Sequence, residues 1–202
     1  MRPRLIVGIS GASGVIFGVR LLEALRELSV EAHLVMTAAA EVTLGCETGY
    51  KVAAVKALAY RSYAAGDMAA PIASGSFQTL GMAVVPCSMR SLAEIANGAT
   101  TTLLTRAADV MLKERRRLVV VPRETPLHSG HLRNMLAVSE LGGIVAPPVP
   151  AFYAKPETID DLVDHTAGRV LDLFGLDSGK VRRWRDEGQR GAVRIVGGSE
   201  TE

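Results

Sequence analysis

The 202-residue chain is 48% hydrophobic, 22% charged and only 4% aromatic, with a formal charge of +2. That balance excludes wholesale disorder and is too nearly neutral to argue for nucleic acid. Two cysteines and 20 glycines without a fixed period exclude a disulfide scaffold and a collagen-like repeat.

The first apolar run, Leu5 to Ile9, is rich in β-branched residues and predicts a buried strand. It feeds a Gly/Ser turn, Ser10-Gly11-Ala12-Ser13-Gly14, and a helix over 15–28 with Leu21, Leu22 and Leu25 on one face. A second strand is expected at 32–36, after which Thr37 can cap a helix over 38–44. A third strand, 82–86, ends in Cys87-Ser88; helical patterns follow at 91–96 and 103–115. A fourth strand at 118–122 ends in Arg123-Glu124, then come a helix at 132–141, a fifth strand at 143–147 and a last helix at 159–173. Strands that are apolar along their whole length and alternate with helices imply a parallel sheet covered on both faces. The expected fold is a three-layer αβα, doubly wound, mainly parallel sheet of flavodoxin-like or Rossmann-like type. Residues 1–176 form one domain, and 177–202 read as a polar, arginine-rich tail that can dock on a neighbouring subunit through Arg183, Trp184 and Arg185.

The apolar stretch behind the basic start is too short for a secretory signal, and no run reaches the roughly 18 to 20 apolar residues of a membrane span. Cys46 and Cys87 lack CxxC spacing, so free thiols in a reducing compartment are expected. The chain reads as cytoplasmic.

In a doubly wound sheet, ligands sit beyond the carboxyl ends of the strands. Those ends supply the 10–14 turn, Thr37, the 87–91 turn, Arg123-Glu124 and the loop 147–153: hydroxyls, glycine amides and arginines, an anion-binding inventory. Glycines at 8, 11 and 14 do not make the GxGxxG dinucleotide fingerprint, a Walker A loop or a GxSxG elbow. Either a plain βα turn or a phosphate cradle accounts for them, and a mononucleotide such as flavin monophosphate is the better-sized ligand. Cys87 raises a nucleophile reading with His128 or His131 as base, against inert packing behind a buried strand. Arg106, Asp109 and Lys113 share a helix face, either as a surface charge ladder or as cations for a phosphate. No histidine or carboxylate pair has metal-ligand spacing, and no metal site is expected.

Taken in order, Gly11-Ala12-Ser13-Gly14, Glu47-Thr48, Ala73-Ser74-Gly75-Ser76, Pro86-Cys87-Ser88, Arg106-Ala107-Ala108-Asp109, Lys113-Glu114-Arg115-Arg116, Val121-Pro122-Arg123-Glu124 and Pro150-Ala151-Phe152-Tyr153 resemble the UbiX-type flavin prenyltransferase family. The resemblance runs from about Leu5 to Trp184. It implies a homo-oligomer, typically a dodecamer, that joins the dimethylallyl group of dimethylallyl monophosphate to N5 and then C6 of reduced FMN. The prenylated FMN would serve UbiD-type decarboxylases, including those of ubiquinone synthesis.

The resemblance further implies that Gly11, Ala12, Ser13, Thr37, the turn Ser88, Met89, Arg90, Ser91, and Arg123 hold FMN. The donor phosphate falls to Ser74, Gly75, Arg106, Lys113 and Glu124, with Tyr153 and Arg169 reaching across subunits. Ser13, Glu47, Lys113 and Glu124 form the implied catalytic set, the first two assisting proton movements. Met68 stands where some relatives place a tryptophan, so it carries no role. No Asp-rich diphosphate–magnesium motif is visible, and the expected reaction is metal-independent. Two alternatives are an FMN-dependent cysteine decarboxylase, which needs a catalytic histidine early in the chain, and a non-catalytic FMN-binding partner of a decarboxylase.

Overall fold

The computed structural model describes residues 2–184. Among the described residues, six strands form one sheet in the order β3-β2-β1-β4-β5-β6: β1 (Arg4–Ile9), β2 (Glu31–Met36), β3 (Arg61–Tyr63), β4 (Gly81–Cys87), β5 (Arg117–Pro122) and β6 (Ile144–Val145). Every neighbouring pair is parallel. Helices α1 (Val15–Glu27), α2 (Ala38–Glu47), α3 (Val52–Leu58), α4 (Met89–Ala96), α5 (Leu103–Lys113), α6 (Ser129–Glu140) and α7 (Ile159–Asp172) connect and cover the strands. The chain winds outward from β1 through β2 to β3 on one side and from β4 through β5 to β6 on the other, and this switch between the paired strands β1 and β4 opens the crevice where such sheets take ligands.

Alternation along the strands divides the interior in two. Leu5, Val7 and Ile9 join Val19, Leu22, Leu25 and Leu171 on one face, whereas Ile6, Val35, Met82 and Val84 meet Leu92, Leu104 and Met111 on the other. Branched aliphatic side chains dominate both layers, each full burial contributing about 1.5–3 kcal/mol before ordering costs. On the outside, Arg20 of α1 reaches Asp160 (2.9 Å) and Asp164 (2.6 Å) of α7. Among the described residues no helix is long and apolar enough to cross a membrane.

Several details depart from the sequence reading, and the short helix α3 was not expected. The sheet has a sixth strand, β3, which the sequence hides because Arg61-Ser62-Tyr63 is three residues long and only Tyr63 is buried. It survives as an edge strand by pairing with His33–Val35. The expected strand at 143–147 contracts to Ile144–Val145, and α4 and α6 begin two or three residues early because Ser88 and His128 cap them. Pro86 interrupts the ladder between β4 and β5, which shifts register between Val84 and Cys87. The chain there turns toward β1 instead, with Ser10 N and Oγ both donating to Pro86 O at 3.2 and 3.1 Å.

Candidate active site

A cleft of about 590 Å³ opens at the carboxyl ends of β1, β2, β4 and β5, within the range of about 300–1,000 Å³ typical of small-molecule sites. Its lining includes Gly11, Ala12, Ser13, Thr37, Ser88, Met89, Arg90, Ser91, Arg123 and Glu124. All the residues expected to hold FMN are thus brought together, with Glu124 at the same rim. Ala38, Ala39, Ala65, Glu94 and Thr102 also line it and were not foreseen.

Buried Ser10 fixes the floor: its Oγ also accepts from Ser88 N at 2.7 Å, stitching the β1 turn to the β4 turn. Gly11 then passes so close to α2 that a Cβ would lie 2.4 Å from the Ala39 Cβ and 3.0 Å from its carbonyl carbon. Around this turn the N-termini of α2, α4 and α5 converge. Thr37 accepts from Ala40 N (3.2 Å), Ser88 from Ser91 N (3.2 Å) and Thr102 from Thr105 N (3.3 Å). Each terminus leaves further N–H groups and the positive end of its dipole facing the cleft, a setting suited to an anion.

The start of α1 is held differently. Gly14 is left-handed (φ 94°) and gives no side-chain cap, so Glu47 supplies one from the end of α2. Its Oε2 accepts from Gly14 N at 2.8 Å and from Val15 N at 3.4 Å. An exposed carboxylate is thereby anchored at the residue that follows Ser13, outside the cleft lining, where a helix N-terminus favours its charge. On α4, Glu94 accepts from Arg90 (2.9 Å) and Thr101 (2.6 Å). Burial alone would raise its pKa, but these bonds outweigh that and hold the carboxyl below the ordinary range.

The remaining expected residues lie elsewhere on the chain. Ser74, Gly75 and Lys113 cluster at the far end of α5, beside the strand starts, where Lys113 pairs with Glu114. That is about 15 Å of helix away from Thr102 at the cleft. Arg106, midway, binds Asp109 (2.7 Å) and Ala73 O (3.3 Å). Tyr153 and Arg169 form a third group: Tyr153 lies edge-on to Trp184 (5.4 Å) and 3.5 Å from His165 Nε2, while Arg169 and Arg183 share Asp172. The described part of the tail therefore folds onto its own α7; Arg185 and the remainder lie outside the described residues.

Cys87 is fully buried, and desolvation pushes its thiol up to about 12, so it is an inert packing group. A thiol-titrating disulfide reagent is expected to modify one cysteine, exposed Cys46, in the native protein and both after denaturation. Two fast-reacting native thiols would contradict this. His33, the early histidine of the alternative decarboxylase reading, sits buried on β2 and bonds Tyr63 at 2.8 Å, outside the cleft.

A strand-end cleft ringed by helix N-termini and small residues is the site of a mononucleotide-binding flavoprotein, and the family model described as Flavoprotein matches residues 1–171. The flavin prenyltransferase UbiX of Escherichia coli K12 is 56% identical over 174 residues, covering 86% of this chain and 92% of that protein. A crystal structure of AnUbiX in complex with FMN and dimethylallyl pyrophosphate superposes with a TM-score of 0.91 at 54% identity, over 92% of this chain and 99% of the other. A dodecameric FMN-dependent UbiX-like decarboxylase from Escherichia coli O157:H7 gives 0.89 at 54% identity, over 91% and 100% of the two chains. The chain belongs to the UbiX-type flavin prenyltransferase family.

Proposed function

We infer that this protein is a flavin prenyltransferase: it transfers the dimethylallyl group of dimethylallyl monophosphate to N5 and C6 of reduced FMN and releases phosphate. The observation that carries the reading is the likeness, over 92% of the chain, to a relative crystallised with FMN and dimethylallyl pyrophosphate, together with a cleft whose lining suits a mononucleotide. Reduced FMN is the prenyl acceptor and thus a substrate.

In the cleft, N–H groups of the α2 and α4 termini, the Ser88–Ser91 turn and Arg123 hold the FMN phosphate and ribityl hydroxyls. Gly11 and Ala12 keep the floor thin enough for the ligand to lie against backbone. The allylic C–O bond breaks with its electron pair leaving on phosphate, so cations must stabilise the departing oxyanion. Arg106 and Lys113 do so, with the Ser74 hydroxyl, the Gly75 N–H and the donors of Tyr153 and Arg169, while the Glu124 carboxylate accepts from these donors and orients them. Alkylation displaces the proton from N5; ring closure displaces that of C6 while the prenyl chain takes up one proton. Ser13 and the Glu47 carboxylate pass these protons.

The three residue groups stand apart within one chain, so a working site needs neighbouring copies. A homo-oligomer, dodecameric like the relative, supplies them and also excludes water from a carbocation-forming site. The prenylated flavin passes to a decarboxylase of UbiD type.

Incubating the protein with FMN, reductant and dimethylallyl monophosphate is expected to yield flavin heavier by one dimethylallyl group less one hydrogen, with one phosphate released per flavin. Unchanged flavin mass under these conditions would overturn the assignment and favour a binding-only role.

A further inference from the structure

The loop from Ala73 to Phe77 is held from behind by the cations of α5 and its C-terminal extension. Arg106 Nε donates to Ala73 O at 3.3 Å. Arg116 forks: Nη2 donates to Gly75 O at 2.7 Å and Nη1 to Phe77 O at 2.6 Å. Three alternate carbonyls, 73, 75 and 77, therefore meet guanidinium groups. The hydroxyls of Ser74 and Ser76 pair with each other at 2.9 Å, and Ser76 N donates to Ser74 Oγ at 3.3 Å. Gly75 lies against the Lys113–Glu114 pair: a Cβ there would stand 2.3 Å from Glu114 Oε1 and 3.0 Å from Lys113 Nζ. Lys113 and both serines thus gather around one glycine whose carbonyl is already taken by Arg116.

We propose that Arg116 is a positioning residue for the phosphate end of the prenyl donor. It ties down the loop's carbonyls, presents the Ser74 and Ser76 hydroxyls beside Lys113, and adds positive potential behind them. This rests on the reading that Ser74, Gly75 and Lys113 receive the leaving phosphate. The planar guanidinium suits the task because it bonds two carbonyls at once in fixed geometry; an ammonium on the same backbone cannot hold both in that arrangement. Charge-assisted bonds of this kind are among the stronger ones in a folded chain.

The test compares Arg116→Lys, Arg116→Ala and Ser74→Ala as intact oligomers. It measures FMN affinity, KM and kcat for dimethylallyl monophosphate, and inhibition by inorganic phosphate. Arg116→Lys is expected to raise donor KM and weaken phosphate inhibition together by about tenfold, the loss of one charge-assisted bond, with FMN affinity and oligomer size unchanged. Arg116→Ala should go further in the same direction; should it fail to fold, the lysine variant carries the test. Wild-type KM and phosphate inhibition in Arg116→Lys, while Ser74→Ala raises both, would overturn the proposal and leave the loop's phosphate role standing. Wild-type values in both Arg116→Lys and Ser74→Ala would overturn that phosphate role together with the proposal. A parallel fall in FMN affinity in Arg116→Lys would mark a global disturbance and also overturn it.

Discussion

Replacing Lys113 by alanine is expected to slow prenyl transfer by about 10²–10³, the usual loss when one donor to a developing oxyanion is removed, while FMN stays bound. Lys113 occupies the last turn of α5, where the helix dipole favours a cation. Its ammonium bonds Glu114 and holds that carboxyl below the ordinary carboxylate range. Nothing in this arrangement touches the cleft, which begins at Thr102 at the other end of the helix. FMN affinity should therefore remain within about twofold, well under the tenfold that 1.4 kcal/mol represents. Single-turnover formation of prenylated FMN and a flavin titration separate the two quantities. Wild-type turnover in the variant would remove Lys113 from the machinery; lost FMN binding would show that its role is structural.

Gly11→Ala is expected to abolish retention of FMN through purification. The added Cβ would meet the Ala39 Cβ at 2.4 Å and the Ala39 carbonyl carbon at 3.0 Å. Neither is the free end of a flexible side chain, so the α2 N-terminus must shift, and Thr37 moves with it. Such overpacking costs about 1–3 kcal/mol, which for a chain of this size lowers Tm by about 2–4 °C per kcal/mol. Flavin fluorescence titration and a thermal melt of the apoprotein check both effects. A folded variant with wild-type FMN affinity would contradict the placement of the ligand against this turn.

The strand-end half of the site was legible because local sequence carries it. Ser10 to Gly14, Thr37 and Ser88 each follow an apolar strand directly, and small or capping residues there have few other uses. Thr102 was legible in principle, as a capping residue before the apolar run of α5, yet it passed unused. Glu94 gave no signal, since its neighbours Arg90 and Thr101 meet it only once α4 has formed. Glu47 was assigned a role by resemblance alone. Its bond to Gly14 spans 33 residues and depends on how α2 packs on the first turn, which no local pattern encodes. β3 was missed for a related reason: three residues with one buried side chain carry too little periodicity, and the strand exists because β2 offers a partner. Arg116 lay within a quoted motif without a role because its significance depends on carbonyls about 40 residues earlier. The Ser74–Lys113 cluster and the Tyr153–Arg169 group each stand apart from the flavin cleft in the folded chain, so no reading of a single copy brings them to it.

That separation makes subunit complementation the most direct test of the account. Differently tagged Lys113→Ala chains, slowed by about 10²–10³ alone, and Gly11→Ala chains, without FMN alone, are co-expressed, and hybrid oligomers are purified through both tags. In a hybrid, an intact flavin cleft on one chain can meet an intact Lys113 on its neighbour, so formation of prenylated FMN should return. Hybrids no more active than either parent would contradict a site shared between copies and confine the chemistry to one chain.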